Sequence, residues 1–98
     1  MNENDTLKEF FHSSGEPLYR LELRAGVPHG LEQIWHYPGT LTQQAHFHAG
    51  QLHGLYESWW QNGQPKERGE YAHGRKVGIY FWYDQTGCVW SKHDYGAA

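Results

Sequence analysis

Glycine recurs along this 98-residue chain on a fixed period of 24. Gly15, Gly39, Gly63 and Gly87 form one track, Gly26, Gly50 and Gly74 a second, and Gly30, Gly54 and Gly78 a third. Ten of the twelve glycines fall on these tracks, so the period is a property of the fold. Apolar residues follow it: Leu31, Leu55 and Ile79; Trp35, Trp59 and Tyr83; Leu23, Phe47, Tyr71 and Tyr95. A repeat of this length is one supersecondary unit that buries its apolar side only against its neighbours. The chain accordingly divides as a single domain over 1–98. It has a half-repeat at 7–14, repeats at 15–38, 39–62 and 63–86, and a terminal half-repeat at 87–95.

Within each unit, two apolar-alternating runs are separated by glycine-bearing turns. Pro38-Gly39, Asn62-Gly63 and Thr86-Gly87 mark one kind of turn, and Asn-Gly is a strong hairpin signal because both residues accept positive φ. The other lies between Gly26 and Gly30 and its equivalents. Strands are predicted near 7–12, 17–24, 30–37, 41–48, 54–61, 65–72, 78–85 and 88–95. The expected fold is all-β, a single twisted antiparallel meander of about seven to eight strands. Side chains alternate across a strand. If each turn pairs symmetrically about its centre, the even period keeps odd-numbered residues on one face. That face carries a continuous row of Leu7, Leu23, Leu31, Phe47, Leu55, Tyr71, Ile79 and Tyr95. A second row runs Phe11, Tyr19, Trp35, Gln43, Trp59, Glu67, Tyr83 and Ser91, and the odd face is the expected core.

The even face then holds Phe10, Arg20, Ile34, Gln44, Ser58, Arg68, Trp82 and Lys92 along its middle, flanked by Tyr56, Tyr80, Glu70 and Trp60. A solvated face does not require these Trp and Tyr side chains, and Trp, Tyr and Arg are enriched at interface hot spots. A strongly coiled sheet that buries parts of both faces also consumes aromatics, so both readings stand for the tryptophans. The residues expected to contact a partner are Tyr56, Trp60, Arg68, Glu70, Tyr80 and Trp82.

The segment Trp59-Trp60-Gln61-Asn62-Gly63-Gln64-Pro65-Lys66-Glu67-Arg68-Gly69-Glu70-Tyr71, followed by Gly74-Arg75-Lys76-Val77-Gly78, resembles the bacterial MORN-repeat variant. That family repeats an aromatic pair, Asn-Gly, a charged strand, Tyr, then Gly-Lys-x-x-Gly. The resemblance covers roughly 15–95, is strongest over 50–87, and departs at His36-Tyr37-Pro38-Gly39. It implies a single-sheet repeat fold and protein–protein binding. Family members include YwqK-type antitoxins, which suggests an immunity or antitoxin role. No catalytic residues transfer, since the motif consists of structural glycines and aromatics.

Chemistry-bearing residues are present but uncoordinated by the pattern. Eight histidines invite a metal reading, and the symmetric register sets His46 between Glu32 and Tyr56, with His48 two residues on. Zn²⁺ needs three or four convergent ligands, and nothing in the sequence enforces convergence. His29 and His53 hold equivalent turn positions, which points to a turn role. Cys88 follows Gly87 at a turn with no base fixed beside it. Glu67 and Glu70 differ in parity and do not share a face. Neither an enzyme nor a cofactor is expected. The net charge of −3, without basic clusters, argues against nucleic acid and anionic membranes, but suits a basic partner such as a nuclease toxin. The polar, acidic N-terminus Met1-Asn2-Glu3-Asn4-Asp5 offers no signal or membrane-spanning segment, so a cytoplasmic location is the default. The expected function is a protein-binding module that neutralises a toxin by direct binding. The alternative is a self-associating repeat scaffold, as a homodimer or larger, with phospholipid binding a more distant third.

Overall fold

The structure, a computed structural model, describes residues 3–97; Met1, Asn2 and Ala98, included in the single-domain reading, lie outside the described residues. Nine strands form one antiparallel sheet: β1 (Asp5–Phe11), β2 (Pro17–Arg24), β3 (Val27–His36), β4 (Thr40–His48), β5 (Gln51–Leu52), β6 (Gly54–Trp59), β7 (Pro65–Ala72), β8 (Arg75–Tyr83) and β9 (Val89–Asp94). Their order is β1-β2-β3-β4-β6-β7-β8-β9, with the short β5 pairing β4. The all-β meander read from the period is thus the fold. The principal extents of 41 × 36 × 15 Å are those of a single layer. Among the described residues there is no helix, hence none long and apolar enough to cross a membrane.

Two kinds of turn alternate. At one end of the sheet, Trp60 N donates to Gln64 O (2.8 Å) and Gly63 N to Trp60 O (2.9 Å), a three-residue loop with Gly63 at φ 87°. The same pattern recurs at His12–Glu16 and Asp84–Cys88. The opposite end uses two-residue turns in which both residues have positive φ. They are Ala25-Gly26 (50°, 80°), Ala49-Gly50 (49°, 85°) and His73-Gly74 (51°, 82°), the type I′ geometry that matches strand twist. These turns are tighter than the Gly26–Gly30 span suggested, so β3 and β8 begin three residues earlier than the predicted strands.

Turn chemistry also corrects the face assignment. Across a two-residue turn Arg24 pairs with Val27 and Ala72 with Arg75, an odd residue always opposite an even one. Past each three-residue turn a one-residue bulge does the same: Trp59 pairs with Pro65, but Ser58 with Glu67. Partners directly opposite share a face, so core-facing parity switches from strand to strand. A one-residue change of register exchanges the faces of a whole strand. The expected odd row therefore splits. Leu23, Phe47, Tyr71 and Tyr95 lie on one face, and Leu7, Leu31, Leu55 and Ile79 on the other, where Leu7 and Ile79 are exposed.

The buried residues all belong to the first of these faces. Leu21, Ala45, Ser58, Gly69 and Tyr80 are covered, with Ala45 at 0 % and Tyr80 at 1 % exposure. Gly69 is the reason Tyr80 fits. A Cβ at that position would collide with Cδ2 of the Tyr80 ring, so the absent side chain is the space the ring occupies. The core of this one-layer protein is one side of its sheet.

Candidate aromatic binding face

On the tyrosine-bearing face one row runs Phe10, Tyr19, Ile34, Gln43, Ser58, Glu67, Trp82 and Ser91 across the sheet, each opposite the next. The adjacent row carries Leu21, Glu32, Ala45, Tyr56, Gly69, Tyr80 and His93. Between the two rows the same hydrogen bond is made three times. Tyr19 donates to Glu32 Oε2 at 3.0 Å, Tyr56 to Gln43 Oε1 at 3.0 Å, and Tyr80 to Glu67 Oε1 at 3.3 Å. Each bridge joins residues 13 apart, so it is a feature of the repeat. Gln43 Nε2 also donates to Glu32 Oε1 at 3.0 Å, which links the first two bridges into a chain.

These contacts make the hydroxyls donors and keep them protonated. Burial, then the Glu32 hydrogen bond, pushes the Tyr19 hydroxyl up to about 12. Burial, followed by the charges of Glu67, Tyr71 and Glu32, lifts Tyr56 to about 12. Tyr80 is raised further, by burial first and the Glu67 carboxylate second. Desolvation and nearby carboxylates both disfavour the phenolate. Near neutral pH the face presents neutral rings and fixed hydrogen bonds.

Aromatic contacts extend the surface. Tyr71 stands edge-on to Tyr56 and to Tyr80, with centroids at 5.7 and 6.2 Å, and Tyr80 lies 4.8 Å from Trp82. Lys76 Nζ sits over three rings, at 4.8 Å from Tyr80, 5.7 Å from Trp82 and 5.6 Å from Tyr95. An ammonium so placed is held by the ring quadrupoles. Towards the Asn62-Gly63 turn the surface opens into a groove of about 640 Å³ lined by Ile34, Thr42, Trp59, Trp60, Lys66 and Gln85 among others. Trp60 is oriented there by its indole N–H, which donates to Tyr83 O at 3.3 Å, and by Lys66 Nζ 4.9 Å from its ring.

Of the six expected contact residues, the structure groups Tyr56, Tyr80 and Trp82 on this face, with Trp60 in the adjoining groove. Tyr80 is buried, so it supports the surface from beneath. Arg68 and Glu70 are exposed but lie on the opposite face, opposite Phe81 and Val77. Parity alone groups them with the aromatics, and the register separates them. Sequence reasoning missed Tyr19, Glu32, Gln43 and Glu67 as one polar network. A signal was present, since tracks 19/43/67 and 32/56/80 exchange tyrosine against Glu or Gln.

The histidine readings are also resolved in space. Ala45, not His46, pairs with Glu32, so His46 is on the far face from Glu32 and Tyr56, and its Nδ1–H donates to Leu55 O at 2.9 Å. No group of three or more His, Cys, Asp or Glu side chains able to hold a metal occurs among the described residues. His29 and His53 serve the turns: their Nδ1 atoms accept from Ala49 N and His73 N, both at 3.2 Å. Cys88 is an exposed free thiol at its turn.

Residues 52–73 match the family model described as MORN repeat variant, a segment running from β5 through β7 and their intervening turn. The match supports placing the repeat among MORN repeats. No curated protein and no solved structure matches the chain.

Proposed function

We propose that the chain is a protein-binding module that receives its partner on the tyrosine-bearing face and the tryptophan groove beside it. The observation that carries this is the threefold Tyr–Glu/Gln bridge, which holds an aromatic surface in place before any partner arrives. Preorganised side chains lose less entropy on binding, and aromatic residues supply large contact areas with few rotatable bonds. The match at 52–73 agrees with a binding or scaffold role. In its finer form the reading is an immunity protein or antitoxin, acting in the cytoplasm, that neutralises a toxin domain by covering it. The net charge of −3 favours a basic partner through faster encounter.

The test compares faces. If the neighbouring reading frame encodes a toxin-like protein, that product is titrated against Trp60→Ala/Trp82→Ala and against Arg68→Ala/Glu70→Ala, each shown folded by near-ultraviolet circular dichroism. A neighbour of no toxin type weakens the antitoxin form of the reading. Loss of binding in the first pair alone is the expected result. Loss in the second pair alone would transfer the interface to the opposite face.

A further inference from the structure

The two edges of the sheet carry the most exposed of the large apolar side chains among the described residues. Phe10 and Phe11 on β1 are 54 % and 56 % exposed, and Val89 and Trp90 at β9 are 50 % and 68 % exposed. We infer that these edges join head to tail, β9 of one copy adding to β1 of a second copy, so that the sheet continues across the junction in the register of its own repeats.

Repeat phase is the first support. Three junctions inside the sheet pair Arg20 with Gln33, Gln44 with Glu57, and Arg68 with Phe81, each one period beyond the last. One period further, Lys92 falls opposite the position that lies four periods beyond Glu9. Glu9 of a second copy therefore completes the series. The edges are complementary in kind: β9 is the equivalent of β2, β4 and β7, and β1 the equivalent of β3, β6 and β8. A symmetric β1–β1 or β9–β9 pairing would break the alternation.

Backbone direction agrees. Tyr95 N donates inward to Gly78 O at 2.8 Å, so alternate residues of β9, Lys92 among them, turn their N–H and C=O outward. Asn4 O accepts from Ala25 N at 3.0 Å, which by the same alternation turns Glu9 outward on β1. Lys92 and Glu9 are exposed, and opposite charges placed directly across a strand pair attract. The junction also brings Val89 and Trp90 alongside Phe10 and Phe11 and covers them. Open edges are templates for such pairing, and a head-to-tail contact that does not close yields filaments. The adjoining row sets His93 beside Lys8 of the second copy.

Light scattering over a concentration series at low salt tests the charge term. The wild-type mass rises with concentration beyond that of a dimer. Glu9→Lys or Lys92→Glu alone weakens association about tenfold or more through like-charge contact. The double variant Glu9→Lys/Lys92→Glu restores it. Cross-linking tests the register without the charges. In a Cys88→Ser background, chains with Glu9→Cys are mixed with chains with Lys92→Cys, and the mixed disulfide exceeds either homodisulfide. A strict monomer, association that stops at a dimer, or no rescue by the double exchange would each overturn the proposal. Because Trp60 and Trp82 belong to neither edge strand, a failure here leaves the partner-binding test intact, and the converse holds.

Discussion

The two faces of this sheet are made from the same repeats, yet they differ in what holds them. On the tyrosine-bearing face, small residues at Ala45 and Gly69 let rings lean over the backbone, and Tyr80 closes completely. On the other, the middle row reads Glu9, Arg20, Gln33, Gln44, Glu57, Arg68, Phe81 and Lys92. Within that row Gln33 Nε2 donates to Gln44 Oε1 at 3.0 Å. A one-layer sheet has no second layer to bury against. Its fully buried side chains lie flat on one side, while the other side keeps Leu31, Leu55, Trp35, Trp59 and Phe81 half-buried around its charge and amide groups. The comparison teaches that the buried core and the proposed binding surface share one face, so a variant made to test binding must always be checked for folding.

The largest expected effect separates the faces most sharply. Tyr80→Ala removes a fully buried ring and should cost about 3–5 kcal/mol, as for other large aromatic truncations, read as a lowered midpoint in urea unfolding. Gly69→Ala attacks the same contact from beneath by overpacking and should cost about 1–3 kcal/mol. If Gly69→Ala is neutral, the ring does not rest on that glycine.

A second effect is set by pH. Tyr19 and Tyr56 have hydroxyls raised to about 12 in the fold, against about 10 in the unfolded chain. Between these values the folded state retains protons that the unfolded state has lost, so stability falls as pH rises. The contribution is intact below pH 10 and lost as pH passes 12. Tyr56→Phe should flatten that decline, measured by thermal unfolding from pH 9 to 12. An unchanged slope would mean that burial and the nearby Glu67 and Glu32 charges do not raise the hydroxyl.

The smallest effect belongs to the charged face. Arg68→Ala, exposed and without an ion pair among the described residues, should change stability by no more than about 0.5 kcal/mol. A larger loss would show that the charge row is part of what holds the sheet.

Much of the fold was legible because glycine and turn residues punctuate the chain at a constant interval. Strand order and approximate bounds follow from that spacing, as does the strand number apart from the two-residue β5. The parity of the faces did not follow. It depends on whether a turn contains two residues or three, and Ala25, Ala49 and His73 are not the Asn or Gly that advertise a two-residue turn. The bulge beyond the other turn has no residue signature at Pro65–Glu67 that period counting detects. Of the proposed binding surface, Tyr56, Tyr80, Trp60 and Trp82 could be named from the sequence, since aromatic excess is visible in composition. Tyr19, Gln43 and Glu67 could not be joined to them, because the symmetric register put these odd residues on the other face, and Glu32, on the right face, was set beside His46 instead of Ala45.

By itself, then, the sequence determines a repeat, a meander and an aromatic surplus too large for the turns and strands to explain as solvated surface. These are local properties, set by side-chain type and spacing. Tertiary structure decides which side chains share a face, that Tyr80 is a support and Trp82 part of the surface, and that Lys92 and Glu9 end the sheet in complementary phase. Those outcomes hinge on single residues of register summed across turns, and register is a relation between strands that no strand carries alone.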